Sequence, residues 1–265
     1  MTASDPPDEA GPKDFFRLTN ERCDLDFSFA SLESYSHFHT ETVRGRIRTL
    51  QLRPKEAWEH FSKAEALLPE FPRTLRNTMR AFYLRVYRFE NALLECAFPD
   101  AQHEGVLKGC LDELLQGDLP TGETGARIQR FLEGVYLIHE EEYAKAREIL
   151  ERLLEASWKV IEDARTGYLF CAAIASRELG LAEESERRLQ SALLSIPAIN
   201  NTCAGALYAG TAFAILKFWG SEQEAEEWHA YLEHMKVPQR TIDIFNRRSE
   251  LLYGRSLALK RVYIF

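Results

Sequence analysis

The stretch FLEGVYLIHEEEYAKAREILERLLE, Phe131 to Glu155, has the pattern that decides the fold of this chain. Its apolar residues recur every three or four positions, which predicts amphipathic α-helix. The small residues Gly134 and Ala146 lie twelve positions apart, with Tyr143 and Leu150 on either side of Ala146. This spacing predicts two helices that approach each other closely where the small residues meet.

The same spacing recurs along the chain, so the stretch is one unit of an array. The segment PKEAWEHFSKAEALLPEFP, Pro54 to Pro72, carries a second copy of the pattern in its second helix. Two further copies follow the opening stretch, and the last one is the weakest because it has a phenylalanine where a small residue is expected. The paired positions are Gly45 with Ala57, Gly134 with Ala146, Ala173 with Ser185, and Phe213 with Ala225.

The second copy supplies the most specific match to a known repeat. Ala57, Phe61 and Pro69 follow the A-x3-F pattern and the closing proline of the second helix in the tetratricopeptide repeat (TPR), which this chain resembles. The resemblance implies an all-α fold, a right-handed superhelical array of about five to seven antiparallel helix hairpins. The chain would be a divergent member, because its copies recur at a longer interval than the standard repeat.

Breaks at proline and glycine indicate how this array is bounded. Residues 1–13 are acidic and proline-rich, which predicts a disordered tail. Residues 14–265 then form a single helical-repeat domain, in which Arg73 to Leu119 has room for one hairpin that lacks the repeat pattern. We expect 239–265 to form a C-terminal capping helix that folds over the last repeat.

Composition limits the classes of partner. The chain has 265 residues, 45% hydrophobic and 28% charged, with a formal net charge of −8. This balance predicts a folded domain and argues against duplex DNA or an anionic membrane as the partner of the whole surface, because both require a basic footprint. The five cysteines stand singly, and the sequence has neither a secretory signal nor a long apolar run, which together predict a cytoplasmic protein.

The sequence offers little that points to catalysis. It contains no phosphate-binding glycine loop, no HExxH, no GxSxG and no CxxC motif. His229 and His234 are five residues apart, a spacing that does not place two imidazoles on one helix face. We therefore expect a protein that is not an enzyme, with no metal and no cofactor.

The resemblance implies that the first helices of successive hairpins line a concave groove that binds a peptide or helix. The residues flanking the packing face of these helices are apolar, so the partner would be an apolar segment. Three occupants remain open: the chain's own C-terminal segment, another protein, or a second copy of the chain. The residues expected to line the groove are Ile128, Phe131, Val135, Ile138, Phe170 and Ile174.

A second candidate surface is basic. From Arg44 to Arg88 the sequence has eleven basic residues and four glutamates, a local charge of +7. Such a stripe is either a solvated helix face or a contact for an acidic segment, and a protein partner is favoured over RNA because few exposed aromatic residues are evident there. The arginines that we expect to form this face are Arg46, Arg73, Arg76, Arg80 and Arg88.

Three functions remain open on this reading. The first is a non-enzymatic adaptor or scaffold that binds a segment of a partner through the groove or the basic face. The alternative is a regulatory sensor whose groove binds a small peptide or metabolite. The third, an enzyme with a centre assembled from distant repeats, has the least support in the sequence.

Overall fold

The computed structural model describes residues 29–71, 74–96, 104–119, 123–156, 162–199 and 202–235. This part of the chain contains ten α-helices and two short 3-10 helices, and no strand. The prediction of an all-α protein is confirmed at this level. The helices are α1 (Phe29–Leu50), α2 (Pro54–Leu67), α3 (Leu75–Glu95), α4 (Glu104–Gln116), α5 (Glu123–His139), α6 (Tyr143–Glu155), α7 (Glu162–Glu178), α8 (Ala182–Ser195), α9 (Thr202–Phe218) and α10 (Glu222–His234).

Consecutive helices pack as five adjacent pairs, α1 with α2, α3 with α4, and so on to α9 with α10. The pairs also contact one another in chain order, since α2 packs on α3, α4 on α5, and α6 on α7. First helices of neighbouring pairs meet as well, α1 with α3, α5 with α7, and α7 with α9. The described part of the chain is therefore an array of helix hairpins.

Four of the five hairpins share one turn. In the third hairpin the amide of Glu142 donates to the carbonyl of Leu137 and that of Glu141 donates to Ile138, which is the Schellman pattern. The same two bonds occur between α1 and α2, between α7 and α8, and between α9 and α10. In each turn one residue has a positive φ: Leu52 (60°), Glu141 (65°), Gly180 (75°) and Gly220 (82°).

The paired small residues lie where the two helices of each hairpin meet, as predicted. Gly45 faces the ring of Phe61, and Gly134 faces the side chain of Leu150. In the fourth hairpin the Ser185 hydroxyl donates to the Ala173 carbonyl at 2.8 Å, so the serine is buried without an unsatisfied oxygen. These residues set the distance between the two helices of a hairpin.

The buried apolar residues form two clusters. The smaller one joins α1, α2, the loop residue Phe71 and one residue of α3, and it consists of Phe38, Ala57, Phe61, Ala64, Phe71 and Leu84. The larger one runs from α3 to α10 without interruption. Trp58 and Tyr87 are partly buried against both clusters, so they connect the first hairpin to the rest of the array.

Ion pairs join the second helices of the third and fourth hairpins. The Arg147 guanidinium donates to Glu184 at 2.9 Å, and Arg188 on α8 pairs with Glu151 on α6. Each helix thus contributes one arginine and one glutamate, and all four side chains are at least half-buried. The reciprocal arrangement aligns α6 with α8, which lie on the same side of the array.

Two of the sequence expectations fall outside the described residues. They are the disordered tail predicted at 1–13 and the capping helix predicted at 239–265. The hairpin expected between Arg73 and Leu119 is present as α3 and α4. Its first helix begins after the cap residue Thr74, whose side chain accepts a hydrogen bond from the amide of Asn77.

Candidate functional site

The predicted groove residues lie on α5 and α7, but most of them are buried. Val135, Ile138, Phe170 and Ile174 belong to the larger core cluster and have almost no solvent contact. The expectation that these four line an open groove is therefore corrected. Ile128 and Phe131 are only partly buried against the same core, and their role in binding stays a prediction.

The reason for the burial is the number of neighbours around α7. This helix packs against α5, α6, α8 and α9 together. Every residue from Thr166 to Ser176 is buried, which covers the whole circumference of the helix. The Phe131 ring of α5 packs on Tyr168 of α7, with ring centroids 5.0 Å apart. A partner could reach Phe170 or Ile174 only after these helices had moved apart.

Two arginines of the predicted basic face contact aromatic rings on a neighbouring helix. Arg46 of α1 lies over the Tyr87 ring of α3 at 4.3 Å, and Arg80 of α3 lies over the Tyr35 ring of α1 at 4.2 Å. Both contacts are cation–π interactions between neighbouring first helices. Arg73 lies outside the described residues, and so does the side chain of Arg76.

Arg88 of α3 contacts side chains of two other helices. Its guanidinium pairs with Glu65 of α2 and, at 2.9 Å, with Glu113 of α4. It also lies 5.7 Å from the ring centroid of Trp58. Only 16% of the side chain is exposed, so Arg88 holds three helices together and is not available as a free docking charge.

The structure reveals an apolar row on α1 that sequence reasoning did not single out. Val43, Ile47 and Leu50 are 39%, 46% and 53% exposed, and their spacing places them on one face of the helix. The sequence does contain a signal for this row. A different apolar stripe of α1, around Phe38 and Gly45, already accounts for the packing of α1 on α2. A helix with two apolar stripes has one more than this packing needs.

This row continues onto α3, which lies beside α1. The two helices run in the same direction, since Tyr35 contacts Asn77 near their starts and Thr49 contacts Asn91 near their ends. Helical spacing places an exposed methionine and two stacked tyrosines on one side of α3, and Arg46 of α1 covers one of these tyrosines. We call the combined surface the α1–α3 face: Val43, Arg46, Ile47, Leu50, Met79, Tyr83 and Tyr87.

The described residues also contain a buried carboxylate. Glu41 of α1 lies 2.7 Å from Nδ1 of His60 on α2 and accepts a hydrogen bond from Arg44 at 2.8 Å. Burial by itself would raise the pKa of Glu41, but the hydrogen bonds from His60 and Arg44 outweigh it and hold the pKa below 4.5. The carboxylate is therefore ionised at neutral pH and joins the two helices.

Possible metal ligands and a buried thiol are the remaining groups in the described part of the chain that bear on chemistry. No group of three or more histidine, cysteine, aspartate or glutamate side chains is arranged to hold a metal ion there. Burial raises the pKa of the Cys110 thiol to about 11, so this cysteine stays protonated at neutral pH.

Comparison with known proteins adds no family to this geometry. None of the helices in the described ranges combines the length and the apolar character of a membrane span. No family model, no curated protein and no solved structure matches the chain.

Proposed function

We propose that this protein is a non-enzymatic adaptor, a divergent TPR-like superhelical array, that binds an acidic amphipathic segment of another protein through the α1–α3 face. The exposed apolar row of α1 is the observation that carries this proposal. The chain order of helix contacts and the four identical turns support the likeness to the repeat.

The apolar row provides the attractive part of such a contact. About half of each of the three side chains is in water, so full burial would contribute roughly 1 kcal/mol per side chain. Residues at i, i+4 and i+7 present a continuous strip that fits the apolar face of a partner helix. Tyr83 and Tyr87 extend the strip with aromatic surface, which is enriched in protein interfaces.

The charge near the face selects the partner. Arg44, Arg46 and Arg48 lie in the same turns of α1 as the apolar row. Arg44 donates to the buried Glu41 and Arg48 pairs with Glu56 of α2, so the three arginines exceed the carboxylates bonded to them by one. A partner segment with acidic residues beside its apolar positions is therefore favoured over a neutral or basic one.

Selection of helical peptides from a displayed library against the whole chain tests this proposal. We expect the selected peptides to have apolar residues at helical spacing flanked by aspartate or glutamate, and to bind more weakly at high salt. Binding should fall roughly tenfold or more for Ile47→Asp, since a buried charge replaces an apolar contact. Leu194→Asp is the matched control, because Leu194 on α8 is 79% exposed and lies outside the face.

Two results would contradict the proposal. One is a set of selected peptides without acidic bias whose binding is unchanged by Ile47→Asp. The other is a wild-type dimer that Ile47→Asp converts to monomer in sedimentation, because the face would then be an interface between two copies of this chain.

A further inference from the structure

A basic cavity lies on the third hairpin, away from every residue of the α1–α3 face. Its volume is about 460 Å³, and it is bounded by the first turns of α5 and the last turns of α6. Three arginines line it, Arg127 and Arg130 from α5 and Arg152 from α6. The chain has a net charge of −8, whereas the three guanidinium groups make the charge around this cavity positive.

The donors of these arginines are only weakly engaged. Arg127 pairs with Glu123 and Arg152 pairs with Glu148, each through one terminal nitrogen and each one turn away on the same helix. The two glutamate side chains are 82% and 62% exposed, and such ion pairs contribute about 0.5 kcal/mol or less. Arg130 has no hydrogen-bond or ion-pair partner within the described ranges.

We propose that this cavity binds a phosphate monoester. Three guanidinium charges and two carboxylates, Glu123 in the lining and Glu148 bonded to Arg152, leave a net charge of +1 around the cavity, which attracts a phosphate group of about −2. Guanidinium groups present paired N–H donors that match phosphate oxygens. An incoming phosphate replaces the exposed glutamates as the acceptor for Arg127 and Arg152 and supplies the first acceptor for Arg130.

The remaining walls define the rest of the ligand. Ala126, Leu153 and Ala156 line the cavity with apolar surface, so the ester's carbon portion packs there while the phosphate contacts the arginines. The volume lies within the range of roughly 300 to 1,000 Å³ that is usual for small-ligand sites.

Calorimetric titration of the whole chain with inorganic phosphate at constant ionic strength tests the site. We expect saturable binding that sodium chloride does not reproduce. In the double variant Arg130→Gln/Arg152→Gln, affinity should fall roughly tenfold or more, because two charge-assisted contacts are lost. Arg187→Gln is the matched control, since Arg187 is an exposed arginine on α8, and its affinity should equal that of the wild type.

Two further titrations, with O-phosphoserine and with a sugar phosphate, distinguish which kind of phosphate monoester the cavity binds. Tighter binding of either ester than of inorganic phosphate supports a role for the apolar wall, and the tighter of the two names the source. Absence of saturable phosphate binding overturns the proposal. Equal affinity in wild type and the double variant also overturns it, because the phosphate would then bind elsewhere. Neither result depends on the α1–α3 face.

Discussion

At the scale of single residues, the shared hairpin turn is occupied by glycine in only two of its four occurrences. Glu141 has a φ of 65° at the position where Gly180 has 75°. A side chain in this left-handed region costs about 1 to 2 kcal/mol, whereas glycine adopts it freely. The third hairpin therefore retains a strained residue that the fourth does not.

We expect Glu141→Gly to stabilise the protein by roughly 0.5 to 1 kcal/mol, the relief of strain less the greater chain entropy of glycine in the unfolded state. Urea denaturation measures the difference. The reverse change, Gly180→Ala, is the control, because no atom lies within 4 Å of the added Cβ and the effect is conformational. It should destabilise by a similar amount, and a neutral outcome for both variants would contradict the argument.

Two glycines with the same position in the repeat differ in how closely they are packed. A Cβ at Gly45 would lie 2.4 Å from the Phe61 ring, but a Cβ at Gly134 would lie 3.4 Å from Leu150, an ordinary contact. Gly45→Ala should therefore destabilise by about 1 to 3 kcal/mol through overpacking. Gly134→Ala should be neutral or stabilise by up to about 1 kcal/mol, since alanine favours helix.

Thermal unfolding of the two glycine variants side by side makes the comparison. Each serves as the control for the other, because the substitution and the place in the hairpin are the same. A large loss of stability for Gly134→Ala would mean that α5 and α6 approach more closely than the contact with Leu150 indicates.

At the scale of elements, the first hairpin depends on an ionised carboxylate between its two helices. The pKa of Glu41 is lower in the folded chain than its usual 4.5, so its stabilising effect is present above that pH and is lost as the pH falls through the folded value. The basic side chains around the carboxylate are His37, which lies 3.9 Å away, and Arg44 and His60, which bond to it.

We expect Glu41→Gln to be less stable than the wild type by about 2 kcal/mol at neutral pH, because hydrogen bonds to a charged acceptor are replaced by weaker ones. The difference should shrink as the pH falls through the lowered pKa of Glu41 in the folded state, because the carboxylate is then protonated and its charge no longer contributes. Urea denaturation at several pH values measures it. Glu59→Gln, an exposed glutamate on α2, should show no such trend; a difference for Glu41→Gln that stays constant with pH would contradict the assignment.

At the scale of the whole molecule, the two core clusters differ greatly in size. The first hairpin has a small core, joined to the rest through α3 and the arginine contacts, while α7 lies within the larger core. Regions with few buried contacts open at lower free energy than the centre of a core. The array is therefore expected to unfold locally from its first hairpin.

Hydrogen exchange followed by mass spectrometry tests this order. Amides of α1 and α2 should exchange at least tenfold faster than those of Thr166 to Ser176. Arg88→Ala should accelerate exchange in α1 and α2 and leave α7 unchanged, because Arg88 joins α3 to Glu65 of α2. Arg187→Ala is the control on α8, and uniform exchange over the described helices would contradict the prediction.

The positions of the helices and the small residues between them were predictable because they depend on short stretches of chain. Ala57, Phe61 and Ala146 identified the second helices and their packing faces, and all three are fully buried. The turn residues Leu52 and Glu141 were not predictable in the same way, since neither is a residue that favours positive φ. Their conformation follows from the Schellman hydrogen bonds that both hairpins share with the glycine-containing ones.

The candidate sites were less predictable. Phe170 and Ile174 have the apolar character of groove residues, but periodicity does not show how many helices surround α7. Arg88 has the charge of a docking residue, yet its partners Glu65 and Glu113 are 23 and 25 positions away in the chain. In contrast, sequence reasoning did not single out Val43 and Ile47, which are 39% and 46% exposed.

The sequence by itself determined that this chain forms helices, where those helices end, and that successive helices pair, because the underlying signals are apolar periodicity, small residues and turns within about 40 residues. The tertiary structure alone decided which apolar faces are buried, which arginines are engaged and where the basic cavity lies. Burial and charge pairing depend on neighbours distant in the chain, and among the described helices α1 has fewer of them than α7.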